Sequence, residues 1–384
     1  MSLAAAVIFL AMSGVTTGVA SAAANRHKQV FTAHVILSGT TLHHTYLPVG
    51  KLQARTEILT DPDDITLLRN RIFVGFQNGV GPQGQPSPEG NTESTVVEFT
   101  TNGDPIAQWD VVGKTDGVTA DRQANDVIAT VNEDADSSLY TIDPGAPSGH
   151  QVTHYAYNEP LPHLGGTDAI SIYHGKILIS ASAPGTTGTP APQPTYPAVY
   201  SATLDPATTI ATVTPLFLDE DAAKTANINS AGHGQLVDLA LTDPDSNEVV
   251  PRRARFGGDF MLTSQGDQEQ IFVRHAGTSE QRLSVLTLTQ SVDDTAWPTT
   301  SAGTLYSTDS TQDSIVAITG PFVPYQPVVA ATPCGANSAP GTCPAPPAYP
   351  ANYLATLNSW TGVVTALPTV GAVYTPEGGL LFVP

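Results

Sequence analysis

The sequence predicts an all-β chain folded as a single β-propeller. It reads as six or seven four-stranded blades, seven favoured, with the ring closed by strands from the two ends of the chain. Three observations predict this. Charged residues make up only 13% of the 384 residues, while Gly (33) and Pro (32) are abundant, a balance that suits short strands and turns rather than long amphipathic helices. An acidic residue opening an apolar strand recurs along the chain, and each copy is followed by further runs that alternate or stay apolar as strands do.

The repeat can be followed copy by copy. Its anchors are Asp63-Asp64-Ile65-Thr66, Asp116-Gly117-Val118-Thr119, Asp168-Ala169-Ile170-Ser171, Asp238-Leu239-Ala240-Leu241, Asp293-Asp294-Thr295-Ala296 and a poorer sixth, Glu377-Gly378-Gly379-Leu380. Second strands are expected at 72–76, 127–131, 177–181, 260–264, 304–308 and 380–383, and third strands at 95–99, 138–142, 198–204, 270–273 and 314–319. Fourth strands fit 106–112, 152–157, 210–217 and 283–288. Four antiparallel strands per repeat is a propeller blade. The anchors are spaced by 53, 52, 70, 55 and 84 residues, and strand-like stretches inside the last interval favour a seventh blade. Because the chain ends just after a strand, residues 30–37 and 55–59 are expected to complete the last blade and remove its open edge.

The remaining stretches fit one domain. Residues 1–24 read as a signal peptide, an apolar run over 3–15 followed by the small-residue pattern Ala20-Ser21-Ala22, which leaves 25–384 as the propeller and implies a secreted, extracellular protein. The apolar run is too short to span a membrane. Stretches 79–90, 184–197 and 334–350, rich in Pro, Gly, Ser and Thr, are expected as surface loops. Cys334 and Cys343, the only cysteines, are expected to close the last of these as a disulfide. A formal charge of −20 disfavours nucleic acid and anionic membrane surfaces and favours a cationic partner.

Innermost propeller strands line a central channel, so Asp63, Asp116, Asp168, Asp238, Asp293 and Glu377 should converge on one axis. Carboxylates facing one another need a counter-cation, and oxygen ligands at flexible spacing suit a divalent metal, with calcium the best match. The same acids would equally serve as strand-start caps accepting backbone N–H groups. His163 and His233 each precede an anchor by five residues and are candidates for a general acid or base at the channel mouth. His43 and His44 are adjacent, so on a strand they point to opposite faces and cannot share one metal; a tail or outer strand is expected for them. The cluster Asp243-Pro244-Asp245-Ser246-Asn247-Glu248 lacks the spacing of an EF-hand and reads as a solvated turn. There is no Gly-x-Ser-x-Gly, His-Glu-x-x-His or Gly-rich phosphate loop, which argues against the common hydrolase and nucleotide-binding classes.

With its acid-x-aliphatic-Thr/Ser strand starts, as in Asp116-Gly117-Val118-Thr119, and second strands such as Thr304-Leu305-Tyr306-Ser307-Thr308, the chain resembles the broad group of gluconolactonase/regucalcin-like, NHL-repeat and streptogramin-lyase-like propellers over about residues 56–384. The resemblance to lactonase-like members implies a divalent metal held in the channel by the anchor acids. The resemblance to streptogramin lyases implies a histidine base, for which His163 or His233 would stand. Two functions follow as expectations. The first is a monomeric secreted module that binds a small molecule or extracellular partner through its channel and acidic loops. The second is a metal-dependent extracellular hydrolase or lyase acting on a lactone or cyclic ester.

Overall fold

The computed structural model describes residues 30–162, 165–182, 196–333 and 351–384. The leader, His163, Cys334 and Cys343 lie outside the described residues. Within them the chain is all-β and propeller-like, with helix confined to short 3-10 turns such as Gly39–Thr41 and Ser310–Gln312. No helix among the described residues is long and apolar enough to cross a membrane.

Strands are numbered in chain order. One sheet is the meander β4 (Pro62–Leu68), β5 (Arg71–Phe76), β6 (Glu93–Thr100), β7 (Pro105–Val112). Two further meanders follow: β8 (Thr115–Asp121), β9 (Asp126–Val131), β10 (Ser138–Ile142), β11 (Val152–Tyr157), then β12 (Ile170–Tyr173), β13 (Lys176–Ser180), β14 (Pro197–Asp205), β15 (Ile210–Leu218). Their outer strands β11 and β15 pair in parallel at Ala156↔Ile210 and Tyr157↔Ala211, which fuses them into one eight-stranded sheet. The next sheet runs β18 (Pro244–Val249), β19 (Phe260–Ser264), β20 (Glu269–Arg274), β21 (Arg282–Thr287), and is extended outward by β16 (Ala222–Thr225) and β17 (Leu236–Asp238).

The last two sheets exchange chain segments. β22 (Val292–Ala296) pairs with β25 (Val328–Ala331), followed by β26 (Tyr353–Asn358) and β27 (Val363–Ala366). The hairpin between them in sequence, β23 (Thr304–Asp309) and β24 (Ser314–Thr319), belongs instead to the terminal sheet. There it lies between β29 (Leu380–Val383) on the inside and β1 (Phe31–Ser38) and β28 (Thr369–Gly371) on the outside. Residues 304–308 are thus not the second strand of the Asp293 sheet, and 380–383 form an innermost strand rather than a second one. The first and last strands of the described chain do share a sheet, β1 on β24 and β29 on β23. A separate hairpin, β2 (His43–Tyr46) with β3 (Arg55–Ile58), takes up the 55–59 stretch expected at the closure.

Burial explains which residues form which strand. Second strands such as β5 (RIFVGF) and β19 (FMLTS) are apolar at consecutive positions because neighbouring sheets cover both their faces. Outer strands such as β7 and β11 alternate, with one face in water. The hydrophobic clusters lie between sheets. Phe73, Val96 and Trp109 meet Val127 and Ile142; Ile128 and Leu139 meet Ile179 and Tyr200; Leu178 and Phe217 meet Leu262 and Ile271. Met261 and Phe272 meet Val329 and Leu357; Ala330 and Leu354 meet Leu305 and Ile318; Tyr306 and Ile315 meet Ile65 and Phe76. The sheets are therefore joined in cyclic order, each fully buried large side chain adding roughly 1.5–3 kcal/mol. Innermost strands β4, β8, β12, β18, β22 and β29 likewise contact one another in sequence, with β29 returning to β4.

Candidate functional site at the central cavity

The starts of the innermost strands line one cavity of about 260 Å³. Asp63 on β4, Asp116 on β8 and Asp293 on β22 reach it, as do Asp168 just before β12 and Glu377 just before β29. The expected fourth anchor does not. Asp238 sits on β17 at the outer edge of its sheet and is exposed. Asp245 on β18 takes that place. His233 is an exposed residue of the turn between β16 and β17 and does not line the cavity. Residues just beyond the second strands complete the wall: Gln77 after β5, Glu133 after β9, Ser182 after β13 and Gln265 after β19. The far ends of the same inner strands line a second opening of about 810 Å³, which includes Thr66, Thr119, Ser171 and Glu248.

Ten carboxyl groups line the acidic cavity against one cation, Lys114. Burial comes first among the causes that raise Asp63, Asp168 and Asp245 well above the ordinary carboxylate value, and their acidic neighbours add to it. Asp293 is pushed up to about 7 by burial despite a 2.6 Å hydrogen bond from the Gly378 N–H. Burial raises Asp116 to about 8 against the pull of Lys114, whose Nζ lies 2.9 Å from Asp116 Oδ1 and also pairs with Glu133. Burial alone would lower Lys114, but Asp116, Glu133 and Asp63 outweigh it and keep the ammonium charged. Gln77 Nε2 donates to Asp63 Oδ2 at 2.6 Å and to the Thr115 carbonyl at 3.0 Å, bridging two inner strands.

The residues after Asp63, Asp245 and Asp293 stitch the ring. Asp64 accepts from its neighbour Ile65 N–H and, across the strand gap, from Val118 N–H on β8, both at 2.6 Å. Asp294 does the same, accepting from Thr295 N–H at 2.7 Å and from Leu380 N–H on β29 at 2.6 Å. Ser246 donates its hydroxyl to the Asp293 carbonyl at 2.6 Å. Where the next strand approaches most closely the position is glycine: a Cβ on Gly379 would lie 2.6 Å from Ile65 N, and one on Gly117 2.7 Å from Ala169 Cα. Replacing Asp64 by Ala strands two N–H groups, so urea unfolding should show a loss of about 2–4 kcal/mol at unchanged slope. A loss below about 0.5 kcal/mol would mean that the stitch contributes nothing.

Two unsatisfied atoms point to what the cavity can accept. Asp116 Oδ2 and Asn247 Oδ1 are buried without a hydrogen-bond partner, while the Asn247 amide is oriented by donating to the Ala169 carbonyl at 2.6 Å and Ser180 Oγ at 3.1 Å. The donor set of carboxylate, amide and hydroxyl oxygens suits a hard cation. Among the described residues, no three of these acids bring one oxygen each within 4.8 Å of one another. A cation here would take two carboxylates at most, together with amide oxygens and water.

Fold and cavity together define an all-β, propeller-like protein with an acidic centre. No family model matches the sequence, and no curated protein matches it. Among solved structures, the periplasmic gluconolactonase of Pseudomonas aeruginosa is similar over 93% of this chain and 99% of its own, at 13% identity and a TM-score of 0.42. A Bacteroides uniformis protein described as a candidate 6-phosphogluconolactonase is similar over 92% and 99%, at 9% identity and a TM-score of 0.45. Hydrazine synthase of Kuenenia stuttgartiensis is similar over 82% and 66%, at 10% identity and a TM-score of 0.39.

Proposed function

We propose that the chain is a six-bladed propeller whose channel binds a divalent cation of the calcium class and, beside it, an oxygen-rich small molecule. One observation carries this: acids from six consecutive inner strands meet in one cavity that holds a single Lys. Six blades, not seven, fit because the long last interval contains both the β23–β24 hairpin of the terminal sheet and the outer strands that follow β22. Asp168, Asp245 and Asn247, on adjacent inner strands, are the donors that best suit the cation. The apolar leader read at the N-terminus supports export to a calcium-rich exterior.

A cation that binds only the folded state stabilises it by mass action, about 2.7 kcal/mol at a hundred times Kd. Calcium should therefore raise the melting temperature relative to chelator at an ionic strength that screens surface charge. Asp168→Asn combined with Asp245→Asn should remove that response while the protein still melts cooperatively. Equal melting temperatures with and without saturating calcium would defeat the proposal.

A second reading, hydrolysis of a lactone or cyclic ester, is supported by Asp293. A buried carboxyl held at about 7 can give and take a proton at neutral pH. A bound cation would supply polarisation of the ester carbonyl. Acid release from a panel of aldonolactones, with Asp293→Asn as the comparison, tests it.

A further inference from the structure

A second cluster lies outside the channel, where the β2–β3 hairpin crosses the outer edge of the first sheet. His44 on β2 is only 2% exposed, and neither ring nitrogen has a hydrogen-bond partner. A buried imidazole without partners is costly, because each polar nitrogen has lost water and gained nothing. Its Nδ1 lies 3.8 Å from Asp110 Oδ1 on β7, too long for a hydrogen bond. Asp110 stands opposite Thr95 in the β6–β7 ladder, and Glu93 is two residues before Thr95, so the two carboxylates share a face as diagonal neighbours. Single donor atoms of His44, Glu93 and Asp110 all lie within 4.8 Å of one another, the one such trio of His, Cys, Asp or Glu among the described residues.

We propose that His44, Glu93 and Asp110 form a site for a borderline divalent metal of the zinc class, which clamps the β2–β3 hairpin onto the first sheet. One imidazole nitrogen and two carboxylate oxygens are a donor set that zinc accepts, with water completing the coordination. The surroundings hold these ligands in place. Thr95 Oγ1 donates to Asp110 Oδ1 at 2.7 Å, and Asn78 Nδ2 donates in turn to Thr95 Oγ1 at 3.0 Å, the kind of outer hydrogen bonding that fixes a ligating carboxylate. Tyr46 stacks on the His44 ring at 5.1 Å and limits its rotation. The Asp110 side chain is 32% exposed, which leaves a route for the ion. The channel donors are all oxygens, so the two sites select different metals.

The full chain, stripped with chelator and titrated with zinc in excess calcium, should bind one equivalent at this site. Cobalt in place of zinc should give the visible bands of a low-coordinate complex with nitrogen and oxygen ligands. His44→Gln and Asp110→Asn should each weaken zinc binding about 100-fold and abolish the cobalt bands, and Thr95→Val should weaken binding about tenfold. Asp168→Asn with Asp245→Asn should leave zinc binding unchanged. Two results would overturn the proposal: wild-type protein that binds no zinc, or His44→Gln and Asp110→Asn variants, folded by circular dichroism, that bind it as tightly as wild type. Because the channel variant is scored separately, failure of the calcium response and failure of this site are distinguishable.

Discussion

Ending the chain after Pro376 is expected to abolish cooperative folding, although only eight residues, 377–384, are removed. Those residues contain β29, the innermost strand of the terminal sheet and the contact between β22 and β4 that closes the ring. Its loss strips four paired positions from β23, where Leu380 to Val383 face Ser307 to Thr304. It also removes the Asp294 acceptor's partner at Leu380, the Asp293 partner at Gly378 and the Gly379 N–H bond to the Asp63 carbonyl. Phe382, edge-on to Phe322 at 5.2 Å, leaves a hole in the core between the last two sheets. Together these losses are on the order of 5 kcal/mol or more, comparable with the whole stability of a domain. Near-ultraviolet circular dichroism and thermal melting would check it. A truncated protein that melts cooperatively within a few degrees of the full chain would mean that the ring is not closed through β29.

The blade repeat was legible where second strands are apolar on both faces, because that pattern reports burial directly. It failed where a strand faces polar surroundings. β18 reads Pro-Asp-Ser-Asn-Glu-Val, with no apolar alternation, because its side chains line the acidic channel. The apolar run at Asp238-Leu239-Ala240-Leu241 imitated an inner strand better, since Leu239 and Leu241 are core residues between sheets. One signal did exist: Asp243-Pro244-Asp245 repeats the Asp61-Pro62-Asp63 that opens β4. Placing the anchor at Asp245 would have given intervals of 77 and 48 instead of 70 and 55.

The exchange between the last two sheets was not legible at all. Alternation in 304–308 and 314–319 identifies a hairpin, but a hairpin's local pattern is the same whichever sheet receives it. What decides is packing at a distance: Ile315 and Tyr306 fill the core against Ile65 and Phe76 of the first sheet, far from β22 in sequence. The surroundings of His44 were illegible for a related reason. Adjacency to His43 correctly places the two on opposite faces, one exposed and one buried, but the residues facing His44, Glu93 on β6 and Asp110 on β7, are 49 and 66 positions away.

In the presence of chelator, the melting temperature should fall as pH rises from about 5 to 8. Asp63, Asp168, Asp245 and Asp293 have folded-state pKa values above their unfolded ones, so protonation favours the folded chain. Their penalty is absent below the ordinary carboxylate value near 3.9 and grows until pH passes the folded value. For Asp293, raised from 3.8 to about 7, the penalty at pH 8 is about 4 kcal/mol at 1.36 kcal/mol per unit. His44 and His154, both lowered by burial, act in the opposite sense and lose stability as pH drops below about 6.5, which sets the maximum on the mildly acidic side. Calcium should flatten the alkaline limb, because a bound cation favours the ionised carboxylates. Asp293→Asn keeps an oxygen to accept the Gly378 N–H but cannot ionise. At pH 8 in chelator it should therefore be more stable than wild type, by up to about 4 kcal/mol, and at pH 5 the difference should shrink to less than half of that. A chelated wild-type protein whose melting temperature is flat or rising between pH 5 and 8 would show that the ring of acids carries no buried charge penalty, and the case for a resident cation would fall with it.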